Sequence, residues 1–336
     1  MNLINKNSKI YVAGSNGMVG NAICKRLIKE GFNFENKKLL VSNKKDLNLE
    51  DSKNVDKWFK KNKPQIVIIA AAKVGGILAN TRYPVNFLLE NLKIQNNLIE
   101  SSWKHGVERL LFLGSSCIYP KYSEQPIKEE YLLNSCLEDT NQWYSIAKIA
   151  GLKLCEAYRK QYNFDTISLM PTNLYGPNDN YDIYNSHVMA SFIKKFHEAK
   201  VNNSKEVICW GTGNALREFL YVDDLADACF FVLKNWSPNY KNSPKDNKGN
   251  PLTWLNVGSE FEISIKELSK KIASIVGFEG KIIWDHNKPD GTPRKKLDNT
   301  EINKMGWFAE TDLDQGIKKT LASFIEETKL QKKQSS

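Results

Sequence analysis

Ile10-Tyr11-Val12-Ala13-Gly14-Ser15-Asn16-Gly17-Met18-Val19-Gly20 reads as a short strand, a glycine turn and the first turn of a helix. Glycines at 14, 17 and 20 permit a tight turn and let a pyrophosphate come close to the backbone. The helix behind them offers free N–H groups and the positive end of its dipole to the phosphates. Ser15, Asn16, Met18 and Val19 complete the cradle. A strand, this turn and a helix in that order open a dinucleotide-binding α/β sheet.

Outward from that turn, short apolar runs alternate with amphipathic stretches, as in a parallel α/β sheet. Strands are expected at 10–13, 39–41, 66–70, 109–113 and 166–170. Helices are expected after the turn to about 30, over 51–61, from Pro84 to the Gly106 region, and over 144–162. After Pro171 the texture changes: glycine, proline and asparagine accumulate to 185. Residues 237–251 are rich in Lys, Asn and Pro and read as an exposed loop or insertion. The tail from about 329 is expected to fray.

A hydrophobic content of 41% with 26% charged residues is that of an ordinary soluble globular chain. No apolar run approaches the ~20 residues of a membrane span, and residues 1–9 lack an apolar stretch, so a secretory signal is not expected. The six cysteines show neither a C-x-x-C pair nor metal-ligand spacing, so reduced thiols in a cytoplasmic protein and no metal are expected. The net charge of +10 admits a nucleic-acid binder. Its lysines are scattered without a basic-aromatic motif, which favours a solvated surface with some charge left for anionic ligands.

The second strand ends Val41-Ser42-Asn43-Lys44-Lys45, with Leu47 just beyond. An NAD enzyme usually carries an acid there for the ribose 2′-hydroxyl. None precedes Asp46, so Lys44 and Lys45 either meet a 2′-phosphate, which would mean NADP, or are solvated loop lysines. Leu113, Gly114, Ser115 and Ser116 end a later strand, where open α/β sheets bind ligands. Tyr144 and Lys148, four apart, share one helix face. A neighbouring ammonium favours the phenolate and is expected to lower the tyrosine pKa. Such a pair gives a proton to a carbonyl that is receiving hydride, and Ser115 can hydrogen-bond the same carbonyl. Lys148 can also hold the nicotinamide ribose.

In these residues the chain resembles the extended short-chain dehydrogenase/reductase family, and more narrowly the GDP-L-fucose synthases within it. The segments that carry the likeness are 13–20 (AGSNGMVG), 70–77 (AAAKVGGI), 114–120 (GSSCIYP), 144–151 (YSIAKIAG), 171–177 (PTNLYGP), 185–188 (NSHV), 217–219 (REF) and 289–295 (PDGTPRK). The resemblance implies a Rossmann-type doubly wound parallel sheet with a smaller C-terminal α/β substrate-binding domain. Residues 1–175 would mainly bind NADP and 176–330 mainly the substrate, with about 210–235 returning to the first domain.

The implied activity is epimerisation of a GDP-4-keto-6-deoxymannose at C3 and C5, then reduction of C4 with NADPH, yielding GDP-L-fucose. Cys117 and His187 match the family's base and acid, beside Ser115, Tyr144 and Lys148. Pro171, Thr172, Asn173, Leu174 and His187 would meet the cofactor. Lys195, Trp210, Arg217 and Asp290 would contact the GDP-sugar. Asp290 either holds a sugar hydroxyl or only caps the Gly291 turn. Lys195 stands where arginine is expected, and Ser15-Asn16 where a basic residue can occur. A homodimer is implied by the family, the long helices at 84–102 and 144–162 pairing into a four-helix interface. The rivals are another nucleotide-sugar reductase or 4-epimerase on the same fold, and a nonenzymatic dinucleotide sensor. The sensor is disfavoured because both Tyr144 and Lys148 are present.

Overall fold

Alternating strands and helices fill the first half of the chain. In order they are β1 (Ile10–Ala13), α1 (Met18–Lys29), β2 (Leu39–Val41), α2 (Ser52–Asn62), β3 (Ile66–Ile69), α3 (Ile77–Arg82), α4 (Pro84–Lys104), β4 (Arg109–Leu113), α5 (Gln142–Tyr162) and β5 (Asp165–Pro171). There follow β6 (Asn173–Tyr175), α6 (Val188–Val201), β7 (Glu206–Trp210), β8 (Leu216–Tyr221), α7 (Val222–Asn235) and β9 (Trp254–Val257). The chain ends with β10 (Glu262–Ser264), α8 (Ile265–Val276), β11 (Lys281–Asp285), β12 (Arg294–Lys295), α9 (Thr300–Lys304) and α10 (Leu313–Ser335). The structure, a computed structural model, describes residues 3–182, 186–288 and 290–335, with side chains through 330.

The main sheet runs β2-β1-β3-β4-β5-β9 and every neighbouring pair is parallel. Chain order reverses between β1 and β3, the switch point at which doubly wound sheets bind ligands. β1, β3 and β4 are buried along their whole length, as central parallel strands are when helices cover both faces. Alternate side chains feed opposite cores. Ile10, Val12, Ile68 and Leu111 pack with Ile23 and Leu27 of α1 and Leu225 and Cys229 of α7. Tyr11, Val67, Ile69 and Phe112 pack with Phe59 of α2, Leu98 of α4 and Leu152 of α5.

Local chemistry sets the element ends. Asp51 caps α2 by accepting from the Asn54 N–H, and Pro84 opens α4 where a missing N–H costs nothing. Ser264 and Glu267 form a capping box on α8. The Gln95 amide of α4 donates to the Ala147 carbonyl of α5 at 2.6 Å, clamping the helix that carries Tyr144 and Lys148.

The strand β9 was not expected from the sequence. It adds a sixth strand beside β5, after a run of turns at 237–251 in which Asp246 accepts from the Lys248 and Asn250 N–H groups. A third core gathers α6, α8 and α10 around β7 and β8, with Phe196, Cys209, Leu268 and Ile317 at its centre. There β8 lies between β10 and β12 and also pairs with β6, while β7 pairs with β11. The buried Glu218 carboxylate accepts from the Leu297 N–H at 3.0 Å and the Glu260 N–H at 2.8 Å. One side chain thereby ties β8 to the segments that follow β12 and β9.

Candidate active site

The glycine turn is built for close approach. Gly14 has φ +89°, and a Cβ on Gly20 would lie 2.1 Å from the Gly14 carbonyl oxygen, so neither position accepts a side chain. Gly17 begins α1 without any side-chain cap, which leaves first-turn N–H groups for a ligand. The Ser15 hydroxyl is buried and finds no partner within the protein. An unmet buried hydroxyl beside an uncapped helix start suits a phosphate. Asn16 is exposed, while Met18 and Val19 rest on the core below.

Beyond β2, the Asn43 side-chain carbonyl accepts from the Lys45 N–H at 2.9 Å and the Asp46 N–H at 3.0 Å. This turn leaves Lys44 and Lys45 exposed and engages Asp46 with the Asn43 amide. The Leu47 side chain is buried in the core, so only its backbone can meet a ligand.

At the end of β4, Ser115 caps a single 3-10 turn through Ser116 to Ile118, accepting from the Cys117 N–H at 3.2 Å. Burial raises the Cys117 thiol. The Lys295 ammonium, the Ser115 hydroxyl and the Arg217 guanidinium outweigh that effect, and the net direction is down. Lys295 Nζ lies 3.4 Å from Sγ and the Asn141 amide nitrogen 3.5 Å. Cys117 is only partly exposed and Tyr144 likewise; Cys117 lines a small cavity with Asn141 and Lys295, and Tyr144 stands beside Ser115 and Cys117.

The tyrosine–lysine pair corrects one expectation. Lys148 Nζ stands 5.8 Å from the Tyr144 ring centre but donates to the Leu113 carbonyl at 2.7 Å. Burial brings Lys148 down to about 7, and burial, then the Cys117 charge, raises Tyr144 despite a hydrogen bond from Ser115. The phenol is therefore protonated at neutral pH. Desolvation, absent from any spacing argument, sets the direction.

His187 precedes α6; its partner in the expected string, Asn185, lies outside the described residues, as does Pro289. His187 is exposed as a residue, yet surrounding protein desolvates its ring. That burial, then the Lys295 charge, lowers its pKa, so the imidazole is neutral at rest. Pro171 ends β5, and the Thr172 hydroxyl and Asn173 amide both donate to the Glu218 carbonyl. Leu174 rests on the core.

Lys195 Nζ sits 5.3 Å from the Trp210 ring centre and donates to the Ile208 carbonyl. Trp210 is 41% exposed and offers a ring face. Arg217 donates to the Leu216 carbonyl at 2.8 Å and the Asp290 carbonyl at 3.4 Å. Asp290 accepts from the Thr212 N–H and hydroxyl, both at 2.8 Å, so its carboxylate fastens two loops.

Sequence reasoning did not single out Lys295, Asn141 or the network beneath Cys117. Lys295 stood inside the PDGTPRK string; Asn141 is the residue before α5 and carried no signal. The Tyr119 hydroxyl donates to Asn256 at 2.6 Å, and the Asn256 N–H donates to Glu129 at 2.9 Å, anchoring the turn that carries Ser115 and Cys117 to β9. Burial raises Glu129 to about 7, against an ordinary value of about 4.3. The native state then binds the extra proton between those values, so stability is lost as pH rises through about 7. Glu129→Gln keeps an acceptor and removes the charge. It is expected to stabilise the fold by on the order of 1–3 kcal/mol at pH 8 and scarcely at pH 4.5. Thermal unfolding at both values checks this; an equal effect at each would contradict it.

Residues 10–242 match the NAD dependent epimerase/dehydratase family. GDP-L-fucose synthase 1 of Arabidopsis thaliana is 50% identical over 94% of this chain and 92% of its own. GDP-L-fucose synthase of Escherichia coli (strain K12) is 44% identical over 95% of this chain and 97% of its own. Among solved structures, MlghC, a GDP-mannoheptose C4 reductase from Campylobacter jejuni with NADP bound, superposes with a TM-score of 0.84 at 34% identity, covering 96% of this chain and 99% of that one. With a doubly wound sheet, a glycine cradle and a Ser-Tyr-Lys cleft already in place, these likenesses settle its kinship: the chain belongs to the NAD dependent epimerase/dehydratase family and, within it, to the GDP-L-fucose synthases.

Proposed function

We propose that the protein converts GDP-4-keto-6-deoxy-D-mannose to GDP-L-fucose, inverting C3 and C5 and reducing C4 with NADPH. The names of its relatives support the product, and the NADP held by the similar Campylobacter reductase supports the cofactor. The observation that carries the reading is the charge-activated Cys117 thiol two residues from Ser115, in the cleft that also holds Tyr144. A plain C4 reductase or a 4-epimerase has no use for such a base.

Protons α to a ketone become acidic when hydrogen bonds stabilise the enolate oxygen. Ser115 and Tyr144 supply those bonds to the C4 oxygen. The Cys117 thiolate takes the proton from one face of the ring. His187, neutral at rest, takes a proton from water and delivers it to the other face, and both groups exchange protons with water again before the second carbon is inverted. A lowered pKa makes its imidazolium the stronger acid. NADPH supplies the hydride for C4 when it is bound. Gly14, Ser15, Gly17, Gly20 and the start of α1 would hold its pyrophosphate, and Lys44 and Lys45 its 2′-phosphate. Tyr144, protonated at rest, gives the C4 oxygen its proton. Arg217 would fork onto the GDP diphosphate and Trp210 would present a face to the nucleotide, with Lys195 adding charge.

The protein works as a homodimer through α4 and α5. Support comes from their exposed apolar residues, Val85 (68%), Leu89 (46%), Trp143 (38%) and Ile146 (40%). A monomer in light scattering would remove that interface. The free cysteines suit a reducing cytoplasm; recovery with secreted proteins would contradict it.

The deciding assay runs GDP-4-keto-6-deoxymannose in deuterated water with NADPH, then NADH. NADPH oxidation with deuterium at C3 and C5 of GDP-L-fucose is expected, with slower NADH turnover. An unlabelled product of unchanged configuration would leave a plain ketoreductase.

A further inference from the structure

The Lys295 ammonium is a charge without an assigned task. It stands on β12, where Lys295 is register partner of Arg217 on β8, so two cations lie side by side on adjacent parallel strands. The strand is pinned at both ends. The Arg294 guanidinium pairs with Glu262 at 2.7 Å, and the Leu297 N–H reaches the buried Glu218 at 3.0 Å. Among the described residues, no carboxylate forms an ion pair with Lys295. Glu138, which lines the same small cavity, is held by Lys121 at 3.1 Å. Lys295 Nζ lies 3.4 Å from the Cys117 sulfur.

We propose that Lys295 is the counter-ion of a resting Cys117 thiolate, and that His187 is not. Lys295 is thus a positioning residue that acts through Cys117, with Asn141 as the second donor to sulfur. The inference rests on the epimerase reading of the site for its purpose but not for its test.

Of the groups around the thiol, Glu138 alone opposes this assignment, and its charge is met by Lys121 at 3.1 Å. Lys295 and then Arg217 supply positive charge, Ser115 and Asn141 supply dipoles, and Tyr144 is a neutral phenol. Lys295 itself disfavours an imidazolium at His187. A thiolate–imidazolium pair would commit the acid before substrate arrives. A lysine counter-ion lets the base be charged while the imidazole stays neutral, so the two exchange protons with substrate and water independently. β12 also explains why a two-residue strand is built at all: it brings an ammonium from near the end of the chain to a turn that follows β4.

Alkylation reads the thiolate without substrate or cofactor. The thiolate attacks the methylene of iodoacetamide, the S–C bond forms, the C–I bond breaks and iodide leaves. Mass spectrometry of the Cys117 peptide separates it from the exposed Cys136. In the native protein the pH–rate midpoint is expected below the ~8.5 of a free cysteine. Lys295→Met should raise the midpoint by about one unit or more, slowing alkylation at pH 7 by roughly tenfold. Lys295→Arg should recover most of the rate, and His187→Gln should stay within about twofold of native. Lys295→Gln serves if the methionine variant does not fold. An unchanged rate without the ammonium would overturn the proposal and leave Lys295 as a ligand for the nucleotide phosphates. A His187→Gln loss as large as that of Lys295→Met would overturn it too. Either failure leaves the epimerase-reductase reading to its own product assay.

Discussion

Tyr144→Phe lowers NADPH-dependent reduction by about 10²-fold or more while leaving NADPH binding nearly intact. Hydride arriving at C4 makes an alkoxide, and a proton within hydrogen-bond reach removes that charge as it forms. On the proposed reading the phenol is that donor: it is protonated at neutral pH, and burial moves it further that way. Phenylalanine preserves the ring that packs in the cleft and removes only the hydroxyl. The loss corresponds to about 2.7 kcal/mol of transition-state stabilisation. Single-turnover NADPH oxidation reads the step, and fluorescence titration of NADPH reads the binding. Near-normal reduction would take the proton donor away from Tyr144. Because the same hydroxyl also steadies the enolate oxygen, deuterium entry at C3 and C5 should fall as well, though Ser115 still donates there and the loss should be smaller.

What could be read from residues alone divides along a physical line. Ile10–Ala13 and Ile66–Ile69 are unbroken apolar runs buried on both faces, and the glycine turn admits few other readings, so the sheet and its cofactor end were legible. β9 was not, because its fully buried Asn256 interrupts the apolar pattern in four residues. That asparagine is tolerated because Tyr119, Glu129, Ile127 and Asp298, all distant in sequence, meet its polar atoms. The contact that lowers the Cys117 thiol has the same origin: Lys295 is 178 residues distant, and no local pattern joins them. The tyrosine–lysine spacing was legible and its electrostatics were not. Spacing reports which groups are neighbours, whereas the balance between a neighbour's charge and desolvation depends on burial and on where the ammonium points. Here it points at the Leu113 carbonyl.

Cys117→Ser separates the two halves of the chemistry. Serine fills nearly the same space and keeps a hydrogen-bonding atom, but its hydroxyl is far too weak an acid to rest as an anion at neutral pH, even beside Lys295. Solvent deuterium entry at C3 and C5 should drop by roughly 10²–10⁴-fold, the usual worth of a positioned base. The reducing groups are untouched: Ser115, Tyr144 and Lys148 keep their places on β4's end and α5. Reduction should therefore persist at a fraction of its native rate and act on a ketone that has not been epimerised, giving a 6-deoxy sugar with C3 and C5 as they were. Mass and proton spectra of the product distinguish this from a general loss of activity. If label still enters both carbons at the native rate, the base lies elsewhere. If reduction disappears together with exchange, epimerisation must precede hydride transfer obligatorily, and the rate of NADPH loss then reports the first proton abstraction rather than the last step.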